Sequence, residues 1–351
     1  MQAFILKQET KSWLLKNLVQ KFGNPKDTFI LMGDYGKNGS KNLKHHRPTR
    51  GIGWIQFLKR YGFEVLVIND ALISAICPVC FEKVGTPLRI NNVLLRMKLG
   101  LISAVEAEFR PIADAVQSPA ISTIASRNFI SGILCNRSLV LCKSGIGKVA
   151  ASITTCILIQ EFKCDHILFI GTAGSVNCSV SVGDVVVGST YAYHDFNCFP
   201  IFDKHVVPSV APAVSPGNIH FHACPVLLKK AITAARLTVS KSTITSALCK
   251  LGVSNTPQVH TGLILSGDKF IGDTSTITSI LEFEPFSSAL AIEMESSGVA
   301  QSCFDFGVAF AAVRIISDSA CSQASVDWTL FCQDVAGIFG LSFVEQFINL
   351  L

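Results

Sequence analysis

Carboxylates set just past apolar runs are the side chains in this sequence best suited to chemistry. Glu106-Ala107-Glu108 follows the run Lys98–Ala104, Glu293-Met294-Glu295-Ser296 stands in a helical pattern, and Arg314-Ile315-Ile316-Ser317-Asp318 closes an almost wholly apolar stretch. A carboxyl group in apolar surroundings holds its proton to higher pH and can act as an acid near neutrality. An ionised one can activate water or face a developing positive charge. Ile170-Gly171-Thr172-Ala173-Gly174 adds a hydroxyl in a glycine loop, and Ser266-Gly267-Asp268-Lys269-Phe270-Ile271 adds a second loop with an aromatic ring. Each piece alone also has a plainer reading. Glu108 in a first helical turn is an ordinary dipole partner, and Ile146, Phe270, Met294 and Trp328 read as core. The stretch Lys143-Ser144-Gly145-Ile146-Gly147-Lys148 looks like a phosphate loop, but its glycine spacing departs from G-x-x-x-x-G-K-[ST].

The elements that must position these groups alternate. Lys98–Ala104 reads as a strand, and Phe109, Ile112, Ala113 and Val116 follow at helical spacing. Asn128–Cys135 and Ser138–Lys143, split by Asn136-Arg137, read as a hairpin. Gly147–Phe162 reads as a helix, His166–Gly171 and Asp184–Ser189 as strands, Ile292–Phe306 as a helix, Val308–Ser317 as a buried strand and Val326–Leu351 as a closing amphipathic helix. Strands apolar on both faces and alternating with helices predict an α/β protein, a three-layer sandwich around a mixed, largely parallel sheet. Ligands gather at the carboxyl ends of such strands, which points to Glu108, Thr172 and Asp318.

Composition narrows the class. The chain has 351 residues, with 49% hydrophobic and 16% charged residues, enough to bury a large core, so general disorder is excluded. Mean hydropathy is +0.44, yet no run reaches about 18 apolar residues, and Met1–Glu9 is too short and too soon charged for a secretory signal. The expected location is cytoplasmic. Thirteen cysteines, an odd count often set in apolar runs, argue for buried thiols rather than a disulfide framework. The net charge of +5 hides a split: residues 1–96 carry 15 Lys and Arg against 6 Asp and Glu, whereas residues 97–351 carry 15 against 19. A basic segment over 1–96 joined to a mildly acidic domain over 97–351 is the expected organisation.

Taken together, in this order and spacing, the blocks resemble the nucleoside phosphorylase and nucleosidase superfamily, and within it the 5′-methylthioadenosine/S-adenosylhomocysteine nucleosidases. The resemblance runs over residues 97–347 and rests on Ser144-Gly145-Ile146-Gly147-Lys148-Val149, Ser266-Gly267-Asp268, Glu293-Met294-Glu295 and Ile316-Ser317-Asp318. It implies hydrolysis of an adenosine thioether to adenine and a thioribose, by a homodimer acting on a small-molecule nucleoside with no cofactor and no metal. By the same resemblance Asp318 is the acid at adenine N7, oriented by Ser317. Glu295 holds the ribose hydroxyls, Glu108 activates water, and Arg314 stands near the carboxylates. Thr172 takes the place of a family Ser, Phe270 stacks on adenine, and the Ile271 backbone meets the purine edge. Ile146, Met294 and Trp328 line the ribose and 5′-alkylthio side, and Val105 stands where Met is common. The stretch from Tyr193 to Gly262 is longer than in compact relatives and leaves the 5′ preference open. Two alternatives stand beside this reading. One is a phosphate-dependent purine nucleoside phosphorylase, disfavoured because only Arg314 among the body's arginines sits in a matched motif and Glu108 would repel phosphate. The other is a non-catalytic nucleoside-binding relic with a nucleic-acid-binding head.

In the head, Thr28–Gly33 and Phe63–Ile68 read as strands and Gly53–Arg60 as a helix. Residues 28–80 are similar to the end of transposase-like proteins with a zinc ribbon, through Cys77-Pro78-Val79-Cys80. Four-coordinate zinc needs two more ligands, for which the segment offers His45 or His46 but no second Cys pair; the plainer reading is a partial segment without a completed site. Its positive charge favours loose, salt-sensitive nucleic-acid contact.

Overall fold

The computed structural model describes residues 98–209, 217–320 and 324–351, with four short strands nearer the N-terminus. The chain divides into two units, one of Met1–Cys77 and Glu82–Pro87, the other of Pro78–Phe81 and Leu88–Leu351. In the first, β1 (Phe29–Gly33) and β2 (Glu64–Ile68) pair in parallel. His45, His46, Cys77 and Cys80 lie outside the described residues, as does the helix expected over Gly53–Arg60.

The second unit opens with the small antiparallel pair β3 (Arg89–Ile90) and β4 (Val93–Leu94). It then builds a ten-stranded mixed sheet. β5 (Leu99–Ser103) leads into α1 (Glu106–Ala115), and β6 (Gln117–Ile124), β7 (Arg127–Leu134) and β8 (Arg137–Lys143) form an antiparallel meander. α2 (Lys148–Gln160), β9 (His166–Ser175) and β10 (Val185–Tyr193) follow. The long connection after β10 holds the two-residue strands β11 (Val207–Pro208), β12 (Gly217–Asn218) and β13 (Phe221–His222), then α3 (Pro225–Val239) and α4 (Ser242–Lys250). β14 (Val259–Ser266), α5 (Thr274–Leu281), β15 (Ala289–Glu293), α6 (Ser296–Phe306) and β16 (Ala309–Asp318) complete the sheet region. The chain ends in α7 (Ala324–Phe331), a wide π-type turn over Cys332–Ala336, and α8 (Gly337–Leu350).

β5, β8, β9 and β16 run parallel, and so do β10, β14 and β15. The two groups meet antiparallel twice, β9 with β15 and β10 with β16. The ladder β10–β14–β15–β9–β16 therefore returns to β10, and this part of the sheet curls into a closed ring. The ends of β9, β15 and β16 converge there, which concentrates the polar strand ends in one place. β9 and β16 are buried along nearly their whole length, as expected of strands covered on both faces. α2 and α6 pack together against Ile102, Ile167, Phe169, Phe310 and Ala312, while α1, α3 and α8 form the other helical layer. In α8, Phe339, Phe343 and Phe347 fall at i, i+4, i+8 and stack at 5.9 and 6.0 Å, all fully buried. Each such ring adds on the order of 1.5–3 kcal/mol of burial.

Several boundaries differ from the sequence reading. Ile292 and Glu293 do not start a helix: they end β15, and the helix begins at Ser296 with Glu295 as its cap residue. The apolar run Ala289–Ile292 is too short to separate from the helical pattern behind it, and no turn residue intervenes. β9 and β10 run further than expected, to Ser175 and Tyr193. β6 goes unread because its side chains are exposed on both faces and carry no alternation. The closing helix begins at Ala324 and is interrupted by the π-type turn.

Candidate active site

Glu108 sits in the third residue of α1, and its carboxylate folds back on the helix start. Oε2 accepts from the N–H groups of Ala104 and Val105, at 3.2 and 3.3 Å, satisfying donors that an α-helix leaves open. Oε1 accepts from Thr172 N at 2.9 Å and from Thr172 Oγ1 at 3.1 Å. Glu108 thus ties α1 to β9. Gly171 is what lets it approach. A Cβ there would lie 3.0 and 3.2 Å from the two carboxylate oxygens and 3.3 Å from Arg314 Nη1.

Asp318 ends β16 and lies against Gly174 of β9, where a Cβ would meet Oδ1 at 2.9 Å. Oδ1 accepts from Ala320 N at 2.8 Å, and Oδ2 stands 2.8 Å from Ser317 Oγ. With Oδ1 held as an acceptor, a proton on this carboxyl group belongs on Oδ2. Ser317 Oγ also lies 3.3 Å from the Ala173 carbonyl. Its hydroxyl can therefore donate to an ionised Asp318 or turn to Ala173 when Asp318 is protonated, serving both states.

The third wall holds three more charges. Arg314 is 1% exposed, lies 4.0 Å over the Phe169 ring, and donates to Glu293 Oε2 from Nη2 at 2.6 Å and from Nε at 3.2 Å. Glu293 also accepts from Glu295 N, Ser296 N, Ser296 Oγ and Ser266 Oγ, so one carboxylate holds both the arginine and the head of α6. Glu295 accepts from Gly147 N at 2.9 Å through Oε1, which leaves Oε2 for a ligand hydroxyl.

These groups enclose a cavity of about 340 Å³, within the size range of small-molecule sites. Val105, Glu108, Ile146, Thr172, Phe270, Ile271, Met294, Glu295, Arg314, Ser317, Asp318 and Trp328, the twelve residues singled out in the sequence, all line it. Glu293 and Phe169 line it too and carry no role in the sequence reading. Glu293 sits in a quoted motif, but an acidic residue beside another acid gives no sign of which is which. The loop bearing Phe270 is clasped from outside the cavity: Lys148 Nζ bonds both Asp195 oxygens at 2.6 Å, and Asp268 accepts from Lys148 N while donating its own N–H to Asp195.

Burial sets the electrostatics. It pushes the Glu108, Glu295 and Asp318 carboxyl groups above the ordinary range. Arg314 and the Thr172 and Val105 donors pull Glu108 back; the Ser317 and Ala320 donors pull Asp318 back, while the like charge of Asp327 adds to its rise. For Glu295 the neighbouring Glu293 adds to the rise, opposed by Arg314 and Gly147 N. One guanidinium faces three buried carboxyl groups, so the cluster is electron-rich. A carboxyl group whose folded pKa is raised stabilises the fold fully below its unfolded pKa and loses that contribution as pH climbs to the folded value. Glu295→Gln keeps the acceptor for Gly147 and removes this loss. Its melting temperature should exceed the wild type's at pH 8 and match it at pH 4; equal melting at both would contradict the assignment.

The comparisons with known proteins fit this geometry. The sequence model of the phosphorylase superfamily matches residues 98–348. A 5′-methylthioadenosine/S-adenosylhomocysteine nucleosidase of an Exiguobacterium species is 34% identical over 240 residues, spanning 68% of this chain and 91% of that one. The chain belongs to the 5′-methylthioadenosine/S-adenosylhomocysteine nucleosidase family of the phosphorylase superfamily. Among solved nucleosidase structures, the Neisseria meningitidis enzyme in complex with methylthio-immucillin-A is 26% identical with a TM-score of 0.63, covering 73% of this chain and 100% of that one. The Colwellia psychrerythraea nucleosidase in complex with adenine is 27% identical with a TM-score of 0.62, covering 73% and 96%. The family match, residues 98–348, contains every residue that lines the cavity.

Proposed function

We propose that this chain hydrolyses the N-glycosidic bond of 5′-methylthioadenosine and S-adenosylhomocysteine, releasing adenine and the corresponding thioribose. The observation that carries the reading is the division of the cavity: a protonatable Asp318 on one wall, and Glu108, Glu293 and Glu295 with a single Arg314 on the other. Adenine leaves poorly unless N7 is protonated, and in this reading Asp318 gives that proton from Oδ2, its Oδ1 being held by Ala320 N. As the bond breaks, the ribosyl group becomes oxocarbenium-like. The electron-rich cluster then stabilises the transition state more than the substrate. Glu295 takes ribose hydroxyls on its open oxygen, and Glu108 accepts the proton of the attacking water. One carboxyl group serves the leaving group and another serves water, as in glycoside hydrolysis. Phe270 is half-exposed at the mouth and offers a face to the base, worth about 1 kcal/mol beyond area burial.

Phosphorolysis is disfavoured because the cavity's buried cation is committed to Glu293. Adenine release from methylthioadenosine by the full chain, with and without phosphate, tests the reading. Equal release in both is expected. Dependence on phosphate would make it a phosphorylase, and no release would leave a nucleoside-binding relic.

A homodimer and a cytosolic location belong to the same proposal. Ile146 at 56% exposure and Val149 at 67%, with Ile153 on the same side of α2, form an apolar surface beside the cavity, and Ile201 is 81% exposed in the connection after β10. A second copy of this chain would cover them, and light scattering would show its mass. Among the described residues no helix is long and apolar enough to cross a membrane.

A further inference from the structure

The indole of Trp328 lines the cavity. It meets the Phe270 ring edge-on at 6.4 Å, and its Nε1–H donates to Thr172 Oγ1 at 3.0 Å. Thr172 Oγ1 in turn stands 3.1 Å from Glu108 Oε1. A threonine hydroxyl has one proton and two acceptor lone pairs, and an indole N–H can only donate. Trp328 therefore occupies one lone pair of the hydroxyl and cannot take its proton, which leaves that proton to be donated to Glu108 Oε1. Successive donors in a buried chain strengthen one another.

We infer that Trp328 is a positioning residue for Glu108, acting through Thr172: the indole fixes the hydroxyl rotor so that it donates to the carboxylate and keeps Glu108 in the ionised form. This rests on the reading of Glu108 as the base that activates water. The charged and titratable groups around Glu108 are Arg314 on β16, Glu295 at the head of α6, Glu293 at the end of β15 and Cys332 on the π-type turn. Replacement of Trp328 by Phe keeps a ring against Phe270 and leaves all four in place.

Losing one donor in the relay should raise the acidic limb of the kcat/KM profile by about half a pH unit, the shift that the net worth of a modest hydrogen bond sets. Trp328→Phe is therefore expected to lose about threefold more activity on the acidic side than on the plateau. Thr172→Ser should keep the wild-type limb, Thr172→Val should raise it, and adding Trp328→Phe to the Thr172→Val variant should change nothing more. A uniform rise in KM with an unmoved limb would reduce Trp328 to packing and overturn the proposal. The relay also has a readout independent of turnover. The chain has three tryptophans, at 13, 54 and 328, so the Trp328 indole N–H resonance is identified by its loss in Trp328→Phe. It should titrate with pH in the wild type and stand still in Glu108→Gln and in Thr172→Val. No titration in the wild type, or titration that survives Thr172→Val, would refute the relay. Absence of adenine release from a chain whose indole still titrates would refute the nucleosidase reading alone.

Discussion

Asp318→Asn should lower kcat about 10²- to 10⁴-fold, the range over which a positioned acid contributes, while leaving the fold intact. The amide oxygen can still accept from Ala320 N, and the amide nitrogen faces Ser317 Oγ, which can accept as well as donate. What is lost is the transferable proton alone. In the wild type, burial raises the Asp318 pKa, so the protonated, productive form persists to higher pH than for an exposed Asp. Activity should fall on the alkaline side as this group ionises, and that limb should vanish from the residual activity of the variant. Steady-state adenine release across pH, with a circular dichroism melt, checks both points. A rate near wild type would remove Asp318 from the mechanism.

Glu108→Gln should cost about 10²-fold or more in kcat, again the scale of general-base loss, with KM for methylthioadenosine moved little because Glu108 is assigned to water. The amide is less well tolerated here than at 318. Four donors reach the Glu108 carboxylate, two at α1's start and two on Thr172. An NH₂ group in either orientation turns one of these pairs into donor against donor. The acidic limb should disappear, since no carboxylate remains to be protonated there. Calorimetry should still show substrate binding; a variant that binds but turns over normally would assign water activation elsewhere. The two substitutions thus remove opposite limbs of one bell-shaped profile, which neither packing damage nor global unfolding would do.

Much of this site is legible without coordinates. Glu108, Thr172 and Asp318 stand out because each is a polar residue at the end of an apolar strand, where a buried core has no other use for it. Phe270 and Trp328 are a different case: nothing in an aromatic residue's sequence neighbourhood separates a cavity wall from a core, and only the family likeness marks them. Glu293 escapes as a separate participant because its importance lies in what it touches. The ring of partners joining it to Arg314, Ser266 and α6 comes from distant segments, and no local spacing encodes that convergence. The same holds for Trp328: its indole bond to Thr172 spans 156 positions along the chain. α3 and α4 go unread because the family motifs flank this stretch without entering it, although Leu227, Ala231, Ala234 and Thr238 keep helical spacing on the buried side of α3.

Gly171 and Gly174, which seat Glu108 and Asp318, lie on one strand. Three residues of extended chain span roughly 10 Å. The proposed base and the proposed acid are therefore both seated on one backbone, with β9 as their common reference. Side chains around the cavity can be exchanged and the 5′ end of the substrate accommodated differently without touching that reference. A single residue gained or lost between the two glycines would shift one seat by a whole strand step and turn the following side chains to the other face. Within this architecture the walls can drift while the two seats on β9 stay in place.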